Sequence, residues 1–188
     1  MAEKEGAGIK EFLKRRMSGE DAVLLAVEED VVAGFAVVAD WKDLPDAKVL
    51  DVIEIAKPFR GMGIGSKIME RLLAKWDTLI VLTAQSEPGL EDRLIKFYSK
   101  FGFKVISDES ITPVTMTYIP HSYDKLKSWT EFIEKSYQEY SFEKFNTRHF
   151  LPIWGRRYAP WLKYSYDIYK PLLIEMHSIM KGLEGPKE

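Results

Sequence analysis

The chain has 188 residues, 46% hydrophobic and 30% charged, with a net charge of −2. That balance fits one soluble globular domain, or a domain with an appendage, and gives no global electrostatic basis for binding nucleic acid or an anionic membrane. The absence of cysteine excludes a disulfide framework, a thiolate metal site and a cysteine nucleophile. Apolar runs are far shorter than the ~20 residues that span a bilayer. The polar stretch Met1 to Lys10 lacks a signal-peptide core, so the cytoplasm is the expected compartment.

In chain order, Ile9, Phe12, Leu13, Arg16 and Met17 recur at helical spacing, and Ser18-Gly19 ends that segment. Ala22 to Val27 and Val31 to Trp41 are β-rich and predict an antiparallel hairpin across Glu28-Glu29-Asp30. A turn follows from Asp43 to Asp46, with Pro45 inside it. Val49 to Ala56 predicts the next strand, which must end before Pro58 because proline has no N–H for a ladder. Ile64, Ile68, Leu72, Leu73 and Trp76 share one face of a predicted helix. A strand over Leu79 to Thr83 precedes the breaker Ser86-Glu87-Pro88-Gly89. The helix Leu90 to Phe101 is closed by Gly102 as a left-handed cap. Phe103 to Ile106 and Val114 to Tyr118 predict two last strands able to pair.

Beyond Pro120 the composition changes. Of the 24 aromatic residues, 15 fall between Tyr118 and Tyr169. Leu126, Trp129, Ile133 and Tyr137 share a helical face. Trp161 to Met180 predicts a second helix, kinked or broken at Pro171. The chain therefore divides into a core, residues 1–119, and an aromatic-rich helical extension, residues 120–188, that packs on it. The aromatics suit core packing or a homodimer interface. Trp154-Gly155-Arg156-Arg157-Tyr158 with Trp161 mixes cations and rings that can stack on bases and touch phosphates, but overall basicity is lacking. His121, His149 and His177 are isolated in sequence, so no metal is expected.

The stretch Arg60-Gly61-Met62-Gly63-Ile64-Gly65-Ser66 lies between a predicted strand and the start of a predicted helix. In that context backbone N–H groups can hold a phosphate. Glycines allow close approach and unusual dihedrals, and the first N–H groups of the helix have no intrahelical partner. A mononucleotide loop needs G-x-x-x-x-G-K-[ST], and the order here is wrong. A dinucleotide fingerprint needs G-x-G-x-x-G, whereas this is G-x-G-x-G.

Arg60, Gly63 and Gly65 do match the Arg/Gln-x-x-Gly-x-Gly/Ala loop, and the stretch resembles that of the GNAT acetyltransferases. Downstream, Leu94-Ile95-Lys96-Phe97-Tyr98-Ser99-Lys100-Phe101-Gly102-Phe103 resembles the family's segment with a Tyr four residues before a Gly-Phe pair. The resemblance runs from about Ala22 to Tyr118. It implies an α/β fold of GNAT type: a mixed, mostly antiparallel sheet flanked by helices. It also implies transfer of an acetyl group from acetyl-CoA directly to a primary amine, on a small molecule or a protein.

On that resemblance, Ile55, Ala56 and Lys57 of the strand and Arg60, Gly61, Met62, Gly63, Ile64, Gly65 and Ser66 of the loop would hold acetyl-CoA. The strand would splay from its neighbour and pair with the amide-rich pantetheine arm. Tyr98 would be the acid for the departing thiolate, since a phenol of pKa ~10 and a thiol of ~8.5 lie close together. Glu54, or else Asp51, would be the general base. Residues three apart on a strand face opposite ways unless a bulge intervenes, so one of the two is expected at the site. A backbone N–H on the same strand would stabilise the thioester oxygen.

Two positions depart from the pattern. Glu91 and Leu94 stand where many members have Asn and Ala, so Gln85 or Ser86 would have to supply the Asn contact. The segment before Ala22 is also short, which leaves the aromatic extension to supply the missing acceptor wall. The alternatives are a non-catalytic acyl-CoA-binding sensor or interaction protein, and a nucleic-acid-associated acetyltransferase.

Overall fold

The computed structural model describes residues 22–41, 44–84, 91–106, 114–139 and 162–184. The helix expected over Ile9 to Met17, His149, and the Trp154 to Trp161 cluster lie outside the described residues.

Strands β1 (Ala22–Glu28) and β2 (Val31–Asp40) form the predicted hairpin, closed by the pair Glu28 and Val31. Glu29 and Asp30 have φ of 47° and 63°, as a two-residue type I′ turn requires. Strand β3 (Lys48–Ile55) runs antiparallel to β2 and ends at a 3₁₀ turn, Lys57–Phe59, that contains Pro58. Helix α1 (Ile64–Lys75) crosses back to β4 (Ile80–Ala84), which lies parallel to β3. A parallel pair needs such a crossover. Helix α2 (Glu91–Ser99), β5 (Lys104–Val105) and β6 (Val114–Tyr118) follow, then helices α3 (Tyr123–Glu139) and α4 (Leu162–Leu183). The six strands are ordered β1-β2-β3-β4-β6-β5, and only β3 and β4 are parallel.

Each sheet face carries its own core. On one face Ile64, Ile68, Met69 and Leu72 of α1 and Tyr98 of α2 pack with Ala36, Val38, Leu50, Ile80 and Leu82. On the other, Leu126, Trp129 and Ile133 of α3 and Tyr169, Leu172 and Met176 of α4 pack with Trp41, Leu44, Leu79 and Val81. Trp41 stacks on Tyr169 with ring centroids 5.6 Å apart. The Trp129 indole N–H donates to the Pro45 carbonyl at 2.8 Å, satisfying the one polar atom that burial of the ring would strand. Lys125 on Asp77 and Lys104 on Glu175 tie the helices to the sheet side at the surface.

Of the kink or break expected at Pro171, the break does not occur: α4 is one helix from Leu162 to Leu183 with Pro171 inside it. Proline forfeits its own helical hydrogen bond, but Tyr169 and Leu172 on either side are 2% and 0% exposed. Burial of these two side chains holds the helix across the gap in its ladder.

Candidate active site

The sheet opens in the middle. β3 and β4 pair at three positions only, Lys48 with Ile80, Val49 with Val81 and Leu50 with Leu82. β3 then continues beside β2 to Ile55, while β4 continues beside β6 to Ala84. Each strand thus keeps one neighbour and leaves the other, and a gap separates them from Asp51 onward.

A bulge sits where they part. Val37 faces Val52, yet Val38 faces Leu50, so Asp51 is an extra residue on β3. Bulges raise the local twist and re-aim side chains. Leu50 packs in the core beneath α1, and so do Ile53 and Ile55, which shows that alternation slips by one across Asp51. Glu54, between Ile53 and Ile55, therefore lies on the sheet face opposite α1, and Asp51 is the extra residue of the bulge.

Backbone polarity in the gap follows from one hydrogen bond. Ala56 N–H donates to the Ala33 carbonyl at 2.9 Å. This makes Gly34 and Ile55 a non-hydrogen-bonded pair, so the N–H and C=O of Ile55, and by alternation of Ile53, turn from β2 toward the gap. Gly34 permits this closeness. A Cβ there would lie 2.6 Å from Ile55 Cδ1 and 2.9 Å from the Glu54 carbonyl oxygen.

At the end of β3 the chain enters the glycine turn. Gly61 and Gly63 have φ of +83° and +79°, and Gly63 is the N-cap of α1. A Cβ on either would meet nothing within 4 Å, so these glycines answer a backbone need, not a steric one. The first described intrahelical bond is Lys67 N–H to the Gly63 carbonyl, at 3.1 Å, and no side chain caps the helix. The N–H groups of Ile64, Gly65 and Ser66 thus lie in the unsatisfied first turn. Gly65 brings that turn close to its neighbours: a Cβ would be 3.4 Å from Phe97 and 3.7 Å from Ile55.

Arg60 turns back on β3. Its Nε donates to the Ile55 carbonyl at 3.0 Å, and Nη2 lies 3.5 Å from Glu54 Oε1. Both side chains are about half exposed. Tyr98 is only 5% exposed, in the same core as Ile53 and Ile55, against the rings of Phe97 at 5.2 Å and Phe103 at 5.9 Å. Burial pushes its pKa up to about 12. The energy separating it from a thiol near 8.5 is about 5 kcal/mol, so the phenol suits donating a hydrogen bond better than surrendering its proton. Tyr98 and Glu54 approach the sheet from opposite faces.

The model of the acetyltransferase (GNAT) domain matches residues 19–105, from the start of β1 through the gap and glycine turn to β5. This chain carries a GNAT acetyltransferase domain. A GNAT-family protein from Desulfovibrio desulfuricans shares the fold at 15% identity and TM-score 0.50, covering 62% of this chain and 81% of its own. A GNAT family acetyltransferase from Elizabethkingia anophelis, solved with acetyl-CoA bound, is 17% identical with TM-score 0.46, covering 58% of this chain and 82% of its own. Nothing matches among curated proteins.

Within the GNAT domain the structure brings Ile55, Ala56, Lys57 and the Arg60 to Ser66 turn together at one end of the gap. Met62 projects outward, 63% exposed. Gln85 and Ser86 lie outside the described residues. Gly34, Ile53 and Phe97 were not anticipated. An isolated glycine inside a β-rich run was the available signal for the first, whereas the other two depend on register and tertiary contact. Among the described residues no group of three or more His, Asp or Glu converges as a metal site, and no helix is long and apolar enough to cross a membrane.

Proposed function

We propose that this GNAT domain is an N-acetyltransferase that takes acetyl-CoA as donor and a primary amine as acceptor. One observation carries the reading. The gap between β3 and β4, with two residues of outward-turned backbone amides, leads directly to a helix N-terminus preceded by two left-handed glycines.

The chain's groups fit such a donor. An amide-rich arm can pair with the Ile53 and Ile55 backbone as a missing strand would, and a pyrophosphate can accept from the N–H groups at the start of α1. Acetyl-CoA supplies an activated acyl group on sulfur. The protein supplies position and polarity. Backbone N–H groups of β3 offer donors where the thioester oxygen gains charge. Tyr98, held neutral by burial, keeps its proton available toward the sulfur. Glu54 accepts the proton of the amine, directly or through water, and Asp51, the extra residue of the bulge, is the second carboxylate nearby. The aromatic extension packs on the face that carries Glu54, and supplies the acceptor wall from there.

The test is release of free CoA thiol from acetyl-CoA by the purified chain, with and without a pool of small amines and peptide N-termini. Amine-dependent release supports the proposal. Saturable donor binding without release for any amine would favour an acyl-CoA sensor.

A further inference from the structure

A groove of about 600 Å³ lies away from the gap, between the outer edge of β1 and α1. Residues 24–28 form one wall, and Lys67, Arg71 and Lys75 stand along the other. Among the described residues β1 is the edge strand of the sheet. Gly34 turns its N–H and C=O toward Ala26, as its pairing with β3 dictates, so alternation turns those of Val23 and Leu25 outward. Leu25 and Val27, on the sheet face away from α1, are 46% and 56% exposed. Apolar, uncharged edges of this kind are normally covered or blunted.

We propose that this groove takes an extended segment of another protein, in which carboxylates alternate with apolar side chains. Added beside β1, such a strand would bond to the outward groups of Val23 and Leu25. Its apolar side chains would cover Leu25 and Val27, and its carboxylates would meet the cations of α1. The spacing agrees: four residues of helix rise ~6.0 Å, and two residues of strand advance ~6.8 Å. No described residue forms an ion pair with Lys67 or Arg71, and Lys75 rests over the Trp76 ring at 4.8 Å. Glu28 places one carboxylate at the end of the groove, leaving the lining net positive. A second copy fits less well. Its β1 has no carboxylate from Ala22 to Val27, and edge-to-edge pairing would bring another Lys67, Arg71 and Lys75 into the same groove.

The experiment uses the full chain and a labelled, N-acetylated peptide of alternating Val and Glu, read by fluorescence anisotropy at low salt. Saturable binding is expected, at least tenfold weaker for the Lys67→Glu/Arg71→Glu variant and for a peptide of alternating Val and Lys. N-methylation at Val should abolish antiparallel addition, and at Glu parallel addition, so one methylated peptide must lose affinity whether or not the variant folds. No saturable binding, indifference to both methylated peptides, or a concentration-dependent dimer that excludes the peptide would each overturn the proposal.

Discussion

Tyr98 sits deep enough that its hydroxyl is neutral at any pH at which an acetyl-transfer assay is run. Its pKa of about 12 exceeds the ~10 of an unfolded tyrosine. The neutral phenol therefore contributes stability that is complete below about pH 10 and is lost as pH rises toward 12. Tyr98→Phe should fold, and its stability difference from the native chain should shrink across that window in denaturant titrations. Turnover should fall about 100-fold or more, the range of a lost hydrogen-bond donor to developing charge, with little change in acetyl-CoA affinity. Glu54→Gln should remove the acidic limb of the pH–rate profile. An unchanged limb would shift the role to Asp51. At Gly34 the constraint is steric. Gly34→Ala forces Ile55 and the Glu54 carbonyl to move, and should destabilise by roughly 1–3 kcal/mol, the usual cost of overpacking, as chemical denaturation would show.

At the scale of elements, the glycine turn decides. Gly63→Ala meets no neighbour, so its cost is the ~1–2 kcal/mol of a left-handed alanine, plus any distortion of the anion-facing N–H groups. Donor affinity should fall with the fold intact. The turn was legible in the sequence because strand, glycines and helix start are local signals. So were the hairpin, its acidic turn and the end of β3 at Pro58. The Asp51 bulge was not, since it exists only as a mismatch in register between β2 and β3. Nothing within β3 distinguishes Asp51 as the extra residue, and that mismatch puts Ile53, not Glu54, on the α1 face with Leu50. The continuity of α4 was hidden too, because burial of Tyr169 and Leu172 outweighs the local signal of Pro171.

Over the whole molecule, the two cores share a single sheet. Val81 points into the layer of α3 and α4, while its neighbours Ile80 and Leu82 point beneath α1. Leu172→Ala, at a fully buried position, should cost about 2–5 kcal/mol. It should shift far-UV and tryptophan-fluorescence transitions together, as one cooperative unit requires. Two separate transitions would instead make residues 120–188 an independent appendage. The central claim is that the open sheet and the glycine turn form one acetyl-CoA site. Calorimetric titration of acetyl-CoA into the native chain and Gly63→Ala tests it most directly. One saturable site, weakened about tenfold or more by the substitution, is the predicted result. No binding to the native chain, or binding indifferent to Gly63→Ala, would contradict it.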